Sequence, residues 1–154
     1  LHKAIRRQRQ MCIRDSYEIK LDNYSKVLHI EAQTMLDMVW KDILPAASAY
    51  TKELAETVAA KKAIGGGIDT SYEERLAGHV SVLLASATKK AEALEYALMG
   101  VKDITDTLAL ARYYRDTIFA AMNELRIIVD EMETHCAAKY WPYPSYGDIL
   151  FSVK

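Results

Sequence analysis

Four histidines, two cysteines and a run of three glycines are the residues of this chain whose chemistry needs testing first. His2, His29, His79 and His135 are dispersed, and none forms a His-x-x-x-His or Glu-x-x-His pair that would turn two metal ligands onto one helical face. Glu131 and His135 come nearest, but a four-residue spacing of this kind is more often a surface pair at a helix end. Cys12 and Cys136 give neither a disulfide framework nor a metal spacing, and Cys136 falls on an apolar stripe where a structural thiol is the default. No Gly-x-Ser-x-Gly elbow is present, so nucleophilic catalysis has no sequence support. Gly65-Gly66-Gly67 is followed by no Gly-Lys-Ser/Thr and preceded by no strand pattern, so it reads as a loop, not a phosphate cradle.

One charged residue stands against the pattern around it. Arg115 falls in an apolar register between Ala111 and Ile118. A charge there needs a partner, because an unpaired buried ion costs several kcal/mol, on the order of a whole domain's margin. It either contacts a neighbouring subunit or domain, or its long stem carries the guanidinium out to water.

The elements that must carry these residues are helical. Between Ser71 and Lys139 there is no proline and only two glycines, and apolar residues recur at steps of three and four. A first long helix is expected over about 17–64, with the stripe Tyr17, Leu21, Tyr24, Leu28, Ala32, Met35, Val39, Ile43, Tyr50, Leu54 and Val58. Asp15 with Glu18 supplies a candidate capping box at its start. Pro45 lacks a backbone donor and predicts a kink or break near Leu44. Thr70 with Glu73, or Ser71 with Glu74, offers a second capping box for a helix over 72–99 striped by Leu76, Val80, Leu83, Ala87, Ala91, Leu94 and Leu98. Gly100 suits the position past a helix end. A third helix then covers about 103–138, through Ile104, Leu108, Ala111, Ile118, Met122, Leu125, Val129, Met132 and Cys136.

The two ends differ from this body. Residues 1–16 carry five Lys or Arg against Asp15, so the rest of the chain is acidic, which argues against a nucleic-acid surface on the main body. The basic segment has no apolar core of a secretion signal and reads as a non-native or disordered leader. No run of about 18 apolar residues exists to span a membrane. At the other end, Pro142 and Pro144 stop the helix, and five of the fourteen aromatics (Tyr140, Trp141, Tyr143, Tyr146, Phe151) crowd into KYWPYPSYGDILFSVK. That much apolar surface predicts a tail that docks, with Gly147 permitting a turn. The sequence therefore predicts an all-α fold: an elongated antiparallel bundle of three or four helices over 17–139, with an extended aromatic C-terminal tail over 140–154.

Two segments of this chain resemble a known family. YEIKLDNYSKVLHIEAQTMLDMVWKDILPA, with its Asp42-Ile43-Leu44-Pro45-Ala46 turn, and the tail residues Trp141, Pro142, Tyr143, Pro144, Tyr146, Gly147, Asp148, Leu150 and Phe151 are similar to the C-terminal region of type III glutamine synthetases. The resemblance covers about Tyr17 to Val153, is specific at both ends, and is generic helix in the middle. LHKAIRRQRQMCIRDS does not share it and looks like translated sequencing-library sequence.

The resemblance implies a parent enzyme that ligates ammonia to glutamate with ATP and magnesium or manganese, through a γ-glutamyl phosphate. It places those ligands in an upstream catalytic domain, so no catalytic, cofactor-binding or metal residue is expected here, and the chain is expected to be a piece of that enzyme. Its own role would be structural, with the catalytic domain and sister subunits of a homo-oligomeric ring as partners, no nucleic acid and no membrane, in a reducing cytoplasm. The competing reading is an independent helical-bundle adaptor that binds another protein through the aromatic tail. Helix lengths add one expectation. A second helix of about 28 residues returns roughly 42 Å, level with residue 36 of the first. If the third starts there, Tyr24, Leu28 and Met35 are left uncovered as an interface, with Arg115 a further contact, unless Pro45 folds that half back as a fourth helix.

Overall fold

The computed structural model describes residues 2–65, 67–144 and 146–151, with side chains from Asp15 onward, that of Tyr146 excepted. Among the described residues there is no strand, and the fold is an all-α helical bundle. Helix α1 spans His2–Met38, a π turn Val39–Ile43, and α2 Leu44–Ile64. Helix α3 spans Ser71–Met99 and passes into a 3₁₀ turn at Gly100–Asp103. Helix α4, Thr107–Tyr113, a second π turn, Tyr114–Ile118, and α5, Phe119–His135, follow, and α6 is Tyr146–Leu150.

Helix α1 begins at His2, well before the expected start at Tyr17. From residue 2 to residue 44 there is neither glycine nor proline, and Lys, Arg, Gln, Met and Ala propagate a helix readily. Asp15 is consequently an interior residue of α1 and not a cap. The break expected at Pro45 is instead a change of helical pitch. The Leu44 N–H donates to the Val39 carbonyl, five residues back, and Pro45 then opens α2, where its missing donor costs least.

The helix contacts define two compact units, Leu1–Leu36 with Ala93–Asn123, and Asp37–Glu92 with Glu124–Lys154. In the first, the buried side chains are Ser25, Leu28 and Ala32 of α1, Leu94 of α3, and Ala111, Tyr114, Ile118 and Met122. Leu28 retains only 6% of its surface, so the stripe expected to stand bare is covered. The length argument failed at the connection. The 3₁₀ turn and the extended residues after it carry the chain past the end of α3, and Thr107 comes to rest beside Ile19 and Asp22 of α1. Met35 is half-buried and Tyr24 remains 40% exposed at the edge of the packed face.

The third helix starts four residues later than expected because Asp106, not Asp103, caps it: its carboxylate accepts from the Ala109 N–H at 2.8 Å. The second π turn, closed by the Phe119 N–H on the Tyr114 carbonyl, then sets which residues face inward. Tyr114 and Ile118 are buried, and Arg115 points out, paired with Asp116 at 2.6 and 3.0 Å. Arg115 is therefore a solvated side chain and not a core charge.

In the second unit the core comprises Val39, Ile43, Leu44, Ala47, Tyr50 and Leu54, with Val80, Leu83, Ala87 and Ala91 of α3 and Leu125 and Met132 of α5. The α2–α3 hairpin is closed by Lys61–Glu73 and Lys62–Glu74 ion pairs, both 2.7 Å. These take the carboxylates away from the expected capping boxes. Asp69 accepts from the Ser71 N–H instead, and the Thr70 hydroxyl donates to Glu74. Both glutamates and Asp69 have depressed pKa values, Glu73 and Glu74 through their lysine partners first and Asp69 through the Ser71 amide.

Candidate functional site

The C-terminal segment is the part of the chain whose composition most demands an explanation, and in the second unit its first half is anchored. After α5 ends at His135, the Tyr140 and Trp141 N–H groups donate to the Ala137 carbonyl and form a tight turn. That turn delivers Lys139 and Tyr140 to Glu53 of α2. The Lys139 ammonium lies 2.6 and 2.7 Å from the two Glu53 oxygens, and the Tyr140 hydroxyl donates to the same carboxylate. The Tyr140 ring packs on Tyr50, one turn before Glu53, with centroids 5.5 Å apart. Lys139 also sits 5.0 Å from the Tyr140 ring centre, within range of a cation–π contact.

Three residues on, the Tyr143 hydroxyl donates to Asp42 at 2.8 Å, which fixes the Trp-Pro-Tyr-Pro segment to the first π turn. Pro142 and Pro144 are exposed, the chain bends at Pro142 and Tyr143, and Trp141 and Tyr143 are half-buried. The electrostatics follow the contacts. Glu53 is pulled below the usual carboxylate range by Lys139 first and Tyr140 second, and Lys139 and Tyr140 are raised by the same bonds. Tyr143 is pushed up to about 12 by burial, reinforced by its bond to Asp42.

Beyond Pro144 the tail changes again. Tyr146–Leu150 form the short helix α6, and the Phe151 N–H donates to the Gly147 carbonyl. The expectation of an extended docked segment fails here. Leu150 is 64% and Phe151 81% exposed, and Gly147 and Asp148 are also exposed. The Tyr146 side chain lies outside those described.

This arrangement is a clamp. Its bonds join carboxylates to an ammonium and to phenols, with no nucleophile, base and open position converging on a reacting atom. The other residues singled out by sequence are not drawn into it. Cys136 is a free thiol raised by burial, and the Glu131 carboxylate meets His79 of α3 rather than the His135 ring. Among the described residues no group of three His, Cys, Asp or Glu could hold a metal ion. Glu53 and Lys139 were not legible as partners, because 86 residues separate them; the only local signal was Glu53 three residues after Tyr50, on the same helix face.

A helical bundle with an anchored aromatic segment is the class the fold defines, and comparison with known proteins places it. Residues 4–62 match the glutamine synthetase C-terminal domain, a span that includes most of the basic first segment. A glutamine synthetase of Butyrivibrio fibrisolvens is 38% identical over 141 residues, covering 90% of this chain and 20% of the relative. The type-3 glutamine synthetase of Dictyostelium discoideum is 31% identical over 138 residues, 87% of this chain and 19% of that protein. A glutamine synthetase of Bacteroides fragilis is 23% identical over 145 residues. The chain belongs to the type III glutamine synthetase family as its C-terminal region, and it spans about a fifth of the length of these relatives.

Proposed function

We propose that this chain is the structural C-terminal domain of an enzyme that ligates ammonia to glutamate at the expense of ATP, with magnesium or manganese bound elsewhere in the protein. Its role is to brace the catalytic domain and to join sister subunits of a homo-oligomeric ring in the cytoplasm. No described helix is long and apolar enough to cross a membrane. The observation that carries the reading is the two-part tail. Lys139, Tyr140 and Tyr143 hold its root rigidly, while Leu150 and Phe151 beyond it remain exposed. Exposed apolar residues following an anchored segment support the reading of a contact surface.

The test is a chimera in which this chain replaces the matching region of the Butyrivibrio fibrisolvens enzyme. γ-Glutamyl transfer activity and ring assembly should be retained by the chimera, absent from the 154-residue chain alone, and reduced when Leu150 and Phe151 are both changed to Ser. A chimera that assembles and turns over normally with both serines in place would overturn the bracing role and favour an independent adaptor.

A further inference from the structure

In the second unit, the first turns of α3 and the last turn of α5 frame a cleft of about 470 Å³ that the clamp does not use. Tyr72, Arg75, Leu76 and His79 share one face of α3 by their three- and four-residue spacing, and Thr134 and His135 complete the lining. The His79 and His135 rings meet edge to face, with centroids 4.4 Å apart.

Neighbouring groups fix both rings. His79 Nε2 lies 3.3 Å from the Glu131 carboxylate, and His135 Nδ1 lies 2.9 Å from the Glu131 carbonyl and from the Thr134 hydroxyl. A carbonyl only accepts, so His135 Nδ1 donates to it; no described hydrogen bond engages His135 Nε2 or His79 Nδ1. Arg75, on the same lining, forms no ion pair among the described residues. No carboxylate is among the lining residues; that of Glu131 lies 3.3 Å from His79 Nε2. Arg75, His79, His135 and Tyr72 thus line the cleft beside the apolar Leu76, while the Thr134 hydroxyl donates to the Glu131 carbonyl at 2.7 Å.

We propose that this cleft binds a small ligand through an oxyanion, a carboxylate or a phosphate group. Arg75 supplies a two-pronged, permanently charged contact, the His79 and His135 rings offer further hydrogen-bonding nitrogens, and Leu76 with the Tyr72 ring receives the ligand's carbon skeleton. The inference is independent of the bracing role, because it concerns other residues and needs no catalytic domain.

The experiment uses the 154-residue chain with labelled histidines at constant pH. It is titrated with inorganic phosphate and separately with acetate, and chloride holds the ionic strength constant. Saturable movement of the His79 and His135 resonances with His29 unmoved is expected, and the more effective anion identifies the head group. Arg75→Gln should weaken binding about tenfold, the scale of one charge-assisted contact, and Arg112→Gln should leave it unchanged. Equal drift of all histidines, no saturation with either anion, or full affinity in folded Arg75→Gln would overturn the site.

Discussion

The Tyr114 hydroxyl lies 2.9 Å from Nδ1 of His29, across 85 residues of sequence, and the two rings meet edge to face. This bond ties α1 to the second π turn and explains why Tyr114, rather than Arg115, occupies the inward position. Tyr114 keeps only 3% of its surface, and burial raises its phenol pKa. Tyr114→Phe should cost about 1 kcal/mol, the usual net worth of such a bond. The same substitution in a His29→Ala background should cost markedly less, and equal losses in both backgrounds would show that the pair is not coupled.

Leu28 discriminates a covered α1 from a bare one. Leu28→Ala should destabilise by about 2–5 kcal/mol because it opens a cavity, whereas the exposed Val27→Ser should stay within about 0.5 kcal/mol. Thermal melts of the two variants decide the point, at roughly 2–4 °C per kcal/mol in a chain of this size.

Gly100 is set against Tyr113. A Cβ at Gly100 would lie 3.1 Å from the Tyr113 hydroxyl, which donates to the Ala97 carbonyl at 2.9 Å. Gly100→Ala should therefore displace that hydroxyl and cost about 1 kcal/mol. In Tyr113→Phe the clash is gone, and the alanine should be neutral or slightly stabilising through the less flexible unfolded chain. A double-mutant cycle by denaturant unfolding measures the difference.

Acid should loosen the tail. The folded-state pKa of Glu53 is depressed by Lys139 and then Tyr140, so its contribution is complete above the ordinary carboxylate value and is lost as pH falls through the lower, folded one. With Trp40 changed to Phe, Trp141 emission should shift to the red across that window. Glu53→Gln should begin shifted and show a weaker acid step.

Alkali acts through Tyr143. Its folded pKa of about 12 lies above the unfolded value of 10.0, so the Asp42 bond contributes fully below the latter and is lost as pH rises between the two. Tyrosinate absorbance should reveal a late-titrating phenol that disappears in Tyr143→Phe. Trp141→Ala, at a half-buried ring, should cost about 2 kcal/mol, less than the 3–5 of a fully buried aromatic.

The sequence by itself determined the helices, most of the core and the family. Along α3 the stripe from Val80 through Leu83, Ala87 and Ala91 to Leu94 is buried as its spacing required, because a helix's apolar face is a local property of 3.6-residue periodicity. The concentration of aromatics in the tail was legible in composition, but which of its residues pack was not: Tyr140 and Tyr143 are bonded to α2 and the first π turn, whereas Leu150 and Phe151 are exposed. Only the tertiary structure decided the rest. Both 114 and 115 are permitted inward positions after Ala111, and the wide turn that buries Tyr114 is selected by His29 on another helix. Leu28 is covered because a seven-residue connection travels further than helix lengths allow for, and connection geometry has no periodic signature. The anchoring of Lys139, Tyr140 and Tyr143 depends on Glu53 and Asp42, carboxylates that resemble any solvated helix face until the fold brings their partners to them.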